Sequence, residues 1–532
     1  MVIIFLFRVV FSKEIIASLY GIEKGQCNIS NPCDFSTAKL KISKNDLLFI
    51  KDNYADSLLE LEKLRDIFQY ALYKKCYVVS QNMTINGSLL NSINFPFIIN
   101  NGADECQIAG FIFTEFHYPI FCFRGVKKVF LNECYFYNNT ITNQVGLLIL
   151  SFSTCKILNC DFCQNSINKT SMLCILTSFC IIECCNINSN TICHSSHQGM
   201  IFSSNSNCDF VNVTMKLNWI THSAPLIQFE WRSYIAFYNS SFISNYYSDG
   251  STQEHKSLIL CDGICEISMY ESFIINNNCS SLSITTKSSV IYMNSMNISY
   301  NQAGNFALFD VPAANFTFSK ASIIEKNSFS SFVDFHNLKS EMTFHHAHFR
   351  LNNSTDSLIK MSRESNINLE YSSFYDNHCQ NGIINGNNIY LNFFNNGFIN
   401  NVGQCINCQN CSAQVYSDVY ITNIEIPINI TANKSSTTII FGSYFSNNLT
   451  NHMKDIVLKG KSLLLMLRFN HSYTKLSSSC FICYYNQRKS GVFTFWSVSF
   501  SYLSTIFLMI LIVTYFKRMI KKIRFNQNKK KQ

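Results

Sequence analysis

Apolar and polar positions alternate along most of this chain in one recurring register. From Met342 to Asn352 the residues read MTFHHAHFRLN, and from Ile367 to Asn377 they read INLEYSSFYDN. Both stretches place apolar side chains at positions one, three and eight, a small one at position six and Asn at position eleven. The closing apolar-x-x-Asn step recurs thirteen times, from Phe136/Asn139 through Phe273/Asn276 and Ile324/Asn327 to Phe445/Asn448, at intervals of about 22 to 31 residues. Such self-similarity marks a solenoid, in which each unit buries its apolar face only by stacking on its neighbours.

Within a unit, apolar-x-apolar is a short strand with one buried face, and small-x-apolar is a second strand after a tight turn. The units closing at Asn276 and Asn327 carry one extra turn residue, which a coil accepts as a bulge. Asn at the unit's end suits a left-handed corner, and stacked Asn amides hydrogen-bond from layer to layer. The expectation is an all-β parallel solenoid of about 13 coils spanning residues 106–451. A leucine-rich repeat shares the Asn step and the period. Here Leu is scarce at inward positions and a second strand replaces the helix.

Ahead of the repeats, DSLLELEKLRDIFQYALYKK spaces Leu58, Leu61, Leu64, Phe68 and Leu72 three or four apart. This predicts an amphipathic helix N-capped by Asp56 or Ser57, within a capping region over residues 19–105 that closes the first coil. Residues 452–491 form a C-terminal cap and juxtamembrane segment. The run Val492–Phe516 has no charge, enough apolar length to cross a bilayer, with Trp496, Tyr502 and Tyr515 toward its ends. At the N-terminus, residues 1–18 read as a signal peptide, with a buried N-terminal segment as the alternative.

Composition and charge sharpen this picture. The chain has 532 residues, 14% charged and 14% aromatic, with 47 Phe and 6 Pro, which excludes disorder and favours strands. Of the net +9, eight positive charges lie after the last apolar run, at Lys517, Arg518, Lys521, Lys522, Arg524, Lys529, Lys530 and Lys531. Residues 517–532 are thus a basic cytoplasmic tail by the positive-inside rule, the body faces outward or into a lumen, and that nearly neutral body carries no footprint for nucleic acid.

The register resembles that of right-handed parallel β-helix repeats. Together with a secretory start, one C-terminal span and a short basic tail, it resembles the polymorphic-membrane-protein-like, single-pass surface proteins of parasitic protists. The resemblance implies a plasma-membrane or endomembrane-lumenal protein, anchored through residues 492–516, whose flank serves adhesion or binds a glycan or protein ligand. A passive coat or decoy antigen is one alternative.

Candidate chemistry is sparse. Sequons at Asn28, Asn82, Asn138, Asn212, Asn297, Asn352 and Asn470 are candidate glycosylation sites. Of 24 Cys, Cys134, Cys160 and Cys185 occupy the small slot in consecutive coils, and Cys155, Cys180 and Cys208 the first apolar slot. Each column is either buried thiols or coil-to-coil disulfides. Cys405, Cys408 and Cys411 have metal-ligand spacing without an evident fourth ligand, Cys480 and Cys483 suit a local bridge, and His345, His346 and His348 read as surface imidazoles. No metal or cofactor is expected. The second alternative is a membrane-tethered polysaccharide lyase or glycoside hydrolase, chemistry that β-helices often carry and that needs paired carboxylates. No repeat unit contains such a pair, and Asp161, Glu183, Asp209, Glu230 and Asp376 form no recurring cluster, so the sequence points to a protein that is not an enzyme.

Overall fold

The computed structural model describes residues 13–484 apart from short connecting segments, while residues 1–12 and 485–532 lie outside it. The chain winds into a parallel β-helix of about 12 turns. Three long parallel sheets form its walls. The first contains Leu148–Ser151, Leu173–Leu176 and Ile201–Ser204, the second Thr154–Leu158, Phe179–Glu183 and Asn207–Val211, and the third Asp161–Cys163, Asn186–Asn188 and Thr214–Lys216. Each strand pairs in parallel with its equivalents one coil before and after. A three-walled coil, where the sequence suggested two strands per unit, arises because the connection after the Asn holds another strand.

Parallel pairing also extends farther toward the N-terminus than residue 106. Glu14–Ile22 pairs with Leu47–Ile50, which pairs with Tyr77–Asn86 and so with Glu105–Thr114. Ile15 and Ala17 are buried in this pairing, so cleavage after residue 18 would remove half of the first strand. The expected helix forms at Leu58–Tyr73, with Ser57 as N-cap in a reciprocal capping box with Glu60. Leu61, Leu64, Phe68 and Leu72 are buried as the spacing requires, together with Ile67 and Ala71, whereas Leu58, expected on the same face, is exposed at the first turn. The Phe68 ring meets Phe97 and Phe111 edge-on at 6.4 and 5.0 Å. Lying between two paired strands, the helix is an insertion in the coil path. Among the described residues no helix is long and apolar enough to cross a membrane, and the span expected at Val492–Phe516 lies outside them.

The inward rows stack as the register demands. Phe136 lies on Phe162 with centroids 4.7 Å apart, and Phe349, Phe374, Phe398 and Tyr420 continue at 4.8, 4.8 and 4.9 Å with nearly parallel rings. These separations equal the spacing of paired strands, about 4.8 Å, so each ring sits directly over its neighbour.

Beside this stack runs a column of twelve buried asparagines: Asn139, Asn165, Asn190, Asn218, Asn245, Asn277, Asn301, Asn327, Asn352, Asn377, Asn401 and Asn423. Asn245 shows the pattern. Its Nδ2 donates to Met215 O at 3.0 Å and to Asn277 Oδ1 at 2.9 Å, while its Oδ1 accepts from Asn218 N at 3.2 Å and Asn218 Nδ2 at 2.9 Å. Two expectations are corrected here. The coil expected to close on Phe273 and Asn276 buries Ile274 and Asn277, because its extra corner residue shifts the frame by one. The left-handed corner residue is the one before the ladder Asn, including Leu217, Tyr300, Lys326 and Leu351 with φ of 54°, 58°, 53° and 54°. The ladder fixes the Asn side chain, so the preceding residue takes the backbone strain.

The small slot at the corner between the second and third sheets has its own logic. Where the chain turns, a backbone N–H loses its strand partner and donates to the slot side chain of the next coil. Cys134 N donates to Cys160 Sγ and Cys160 N to Cys185 Sγ, both at 3.4 Å; Ser240 N donates to Ser272 Oγ at 3.2 Å and Asn396 N to Asp418 Oδ1 at 2.8 Å. Compact acceptors therefore recur at this position, since a buried N–H without a partner is costly.

Two outcomes follow from these ladders. Asn245→Ala, which strips four buried hydrogen bonds, lowers unfolding stability by about 4 kcal/mol, read as a fall in thermal midpoint. Burial pushes the Asp418 carboxyl up to about 7, against the hydrogen bonds from Asn396. Folding therefore favours its protonated form, so stability falls as pH rises from about 4, the unfolded value, to about 7, and then levels off. Asp418→Asn flattens this dependence and raises the thermal midpoint at pH 8 relative to pH 4; an unchanged difference between wild type and variant across that range would refute it.

Candidate functional site

Along the first sheet, residues at the second and fourth strand positions point away from the core. In Ile227–Glu230 the inward residues Ile227 and Phe229 are fully buried, which turns Gln228 and Glu230 to the outer face. Parallel pairing then sets Glu230 opposite Asp262, the last residue of the next coil's strand. Farther along, Asp310 pairs with Asp334 and Asp334 with Lys360. Five carboxylates, Glu230, Asp262, Asp310, Asp334 and Asp356, thus gather on one face within six coils. Of the acids weighed in the sequence only Glu230 lies on this face; Asp161 lies on the third sheet and Glu183 and Asp209 on the second, and the other members of the group are not among them. Each pair joins residues of neighbouring coils, about 24 to 32 positions apart in the chain, so no single unit contains it.

The pairs differ in character. Lys360 Nζ lies 3.2 Å from both Asp334 and Asp356. Burial works against its charge, yet the two carboxylates hold its pKa above the ordinary lysine value. This triad is a neutralised knot, since Asp334 is only 6% exposed and needs its cation.

Glu230 and Asp262, by contrast, present an asymmetric pair. Burial and the neighbouring Asp262 charge push the Glu230 carboxyl upward, against a hydrogen bond from Gln228. Gln228 is itself fixed: Gly199 N donates to its Oε1 at 3.1 Å, which leaves Nε2 to donate to Glu230 Oε1 at 3.0 Å. Asp262 is exposed. Beside the pair, Trp231 holds a left-handed corner at φ 61° with its side chain 70% exposed, and Arg232 is also exposed. Trp231 N donates to Asp262 O at 3.0 Å, tying the two corners together. Gly263 lies beneath, where a Cβ would come within 2.5 Å of Trp231 O and where φ is +141°, so only glycine fits. The result is a half-buried acid, an exposed carboxylate, an indole face and a guanidinium on one rigid corner.

The cysteine columns stack in register, Cys155 on Cys180 and Cys180 on Cys208, and all six side chains of the two columns are buried free thiols. The disulfide among the described residues joins Cys27 to Cys33. Cys405, Cys408 and Cys411 are buried within the coil, and no group of three or more His, Cys, Asp or Glu able to hold a metal occurs among the described residues. Cys480 lies outside them, while Cys483 lies in strand Phe481–Tyr484. Ala347 is buried, as expected, and His346 and His348 are exposed, with His345 Nε2 3.8 Å from Glu370.

Of the candidate glycosylation sites, Asn28, Asn82, Asn138 and Asn212 are exposed, the last three at left-handed corners. Asn297 is half-buried on the third sheet. Asn352 is corrected: it is 1% exposed, and its amide donates to Ile324 O and Asn377 Oδ1 in the ladder. Asn470 lies outside the described residues.

No protein-family model and no curated protein matches this sequence. Among solved structures, the chain is similar to the periplasmic alginate epimerase AlgG, at 12% identity over 73% of this chain and 83% of that one, with a TM-score of 0.25. It is similar to the catalytic unit of a GH87 α-1,3-glucanase from Streptomyces thermodiastaticus, at 9% identity over 82% and 67%, with a TM-score of 0.25. It is also similar to the pectate lyase Pel9A, at 9% identity over 89% and 81%, with a TM-score of 0.15. The expectation of a protein that is not an enzyme is withdrawn beside these three, an epimerase, a glucanase and a lyase; the likeness itself bears on the fold alone.

Proposed function

We propose that this β-helix binds a polysaccharide at the exposed edge of its first sheet, beside Trp231, and hydrolyses it at Glu230 and Asp262. The observation that carries this reading is the asymmetry of that pair. A carboxyl pushed upward by burial is suited to give a proton to a glycosidic oxygen, while the exposed Asp262 side chain is placed to stabilise or attack the sugar carbon. Neighbouring coils stand about 4.8 Å apart, which suits the double-displacement geometry with carboxyls about 5 Å apart better than the wider single-displacement arrangement. The Gln228 hydrogen bond orients Glu230, and the exposed Trp231 ring supplies a flat apolar surface for a pyranose face. A tether through Val492–Phe516, with residues 517–532 in the cytoplasm, would hold this face toward polymers outside the cell or in a lumen.

Glu230→Gln and Asp262→Asn each lower reducing-end release from a panel of glucans and polyuronates by about 10²- to 10⁴-fold without moving the thermal midpoint. Because the Glu230 carboxyl is raised, the alkaline limb of the wild-type rate profile lies above the ordinary glutamate range. Absence of release by the wild-type chain across the panel, or turnover indifferent to both substitutions, would remove this reading.

A further inference from the structure

We infer that the outer face of the second sheet, in its last four complete coils, is a separate platform that holds an uncharged polysaccharide without cutting it. The strands are Glu341–His345, Asn366–Glu370, Tyr390–Phe394 and Ser412–Tyr416. Their inward residues Met342, Phe344, Ile367, Leu369, Leu391, Phe393, Ala413 and Val415 are 0–1% exposed, which turns the alternate positions outward. One outward column is Thr343, Asn368, Asn392 and Gln414, in register from coil to coil. Asn392 Nδ2 donates to Asn368 Oδ1 at 3.0 Å, so the amides form a surface ribbon along the axis.

A row of rings borders this ribbon. His346 stacks on Tyr371 at 5.2 Å, and Tyr371 meets Phe394 edge-on at 5.5 Å. Tyr371, Phe394 and Tyr390 remain 43%, 42% and 54% exposed. Nearer the N-terminus of the same sheet, and separated from this row by the coil that carries Thr317 and Ser319, Tyr238, Tyr270 and Tyr292 form a second group at 5.0 and 5.5 Å. Exposed rings clustered on neighbouring coils form an apolar patch, and such a patch is a recognised mark of a binding surface.

The chemistry selects the occupant. Among the described residues, the charged side chains on this face are Glu341 and Glu370, with the imidazoles of His345, which faces Glu370, and His346, which stacks on Tyr371; these offer no lysine or arginine cluster for a polyanion and no carboxylate pair for a polycation. Carboxamides both donate and accept, which matches sugar hydroxyls that do the same, and exposed rings match the C–H face of a pyranose. Repetition at about 4.8 Å along the axis favours a linear polymer over a compact ligand. A neutral polysaccharide meets all three conditions.

The test uses the full chain in sedimentation with insoluble neutral glucan and mannan, with pectate and chitosan as charged comparators. The wild type is expected to co-sediment with a neutral polymer, with little dependence on salt, and Tyr371→Ala/Tyr390→Ala/Phe394→Ala to weaken that binding at least about tenfold, a loss of about 1.4 kcal/mol. Should the triple variant show altered circular dichroism, Asn368→Ala/Asn392→Ala is the second probe and is expected to weaken binding in the same direction. Unchanged binding in folded variants, absence of binding to every neutral polymer, or binding confined to the charged polymers and abolished by salt would each overturn the inference. The two readings fail separately: lost binding with intact hydrolysis of soluble oligosaccharides refutes the platform alone, and lost hydrolysis with intact binding refutes the cleavage site alone.

Discussion

The buried asparagine column is the constraint on which the rest of the molecule depends. Every ladder side chain uses both ends of its amide inside the core, so a coil shifted by one residue would bury several polar groups without partners. That penalty fixes the register of each coil on the next. Once register is fixed, the phenylalanine stack, the corner slots and the outward columns all fall into line, because strand periodicity leaves no further freedom. Functional residues on the flanks are placed by a hydrogen-bond network they never touch.

Much of the architecture was legible in the sequence for this reason. The Asn, the small slot and three apolar positions are inward features, and inward features repeat because every coil meets the same neighbours. The helix at Leu58–Tyr73 was legible through its own periodicity and its Ser57 cap. The frame slip at Asn277 was less so, since Asn276 and Asn277 are adjacent and only the burial of Ile274 chooses between them. The coils before residue 106 escaped because Glu14–Ile22 and Leu47–Ile50 are separated by a disulfide loop and a short helix, which break the period.

The candidate site was not legible, and the cause is geometric. Glu230 and Asp262 are neighbours across a strand pairing and distant along the chain, as are Asp310 and Asp334. Reading unit by unit finds one carboxylate at a time. The signal available was columnar: aligning the units and reading down the outward positions shows acids accumulating on the first sheet and amides with rings on the second. Gly263 gave a further hint, being a glycine between Asp262 and Ile264 where a corner must pass close under Trp231.

The asparagine column also has a direction. In every step the Nδ2 of the earlier coil donates to the Oδ1 of the later one, from Asn139 through to Asn423. The amide dipoles therefore add head to tail, and each bond polarises the next. Each coil therefore turns an amide donor toward its successor and an acceptor toward its predecessor. The solenoid thus has a chemical polarity along its axis, every turn offering its two neighbours opposite ends of the same amide.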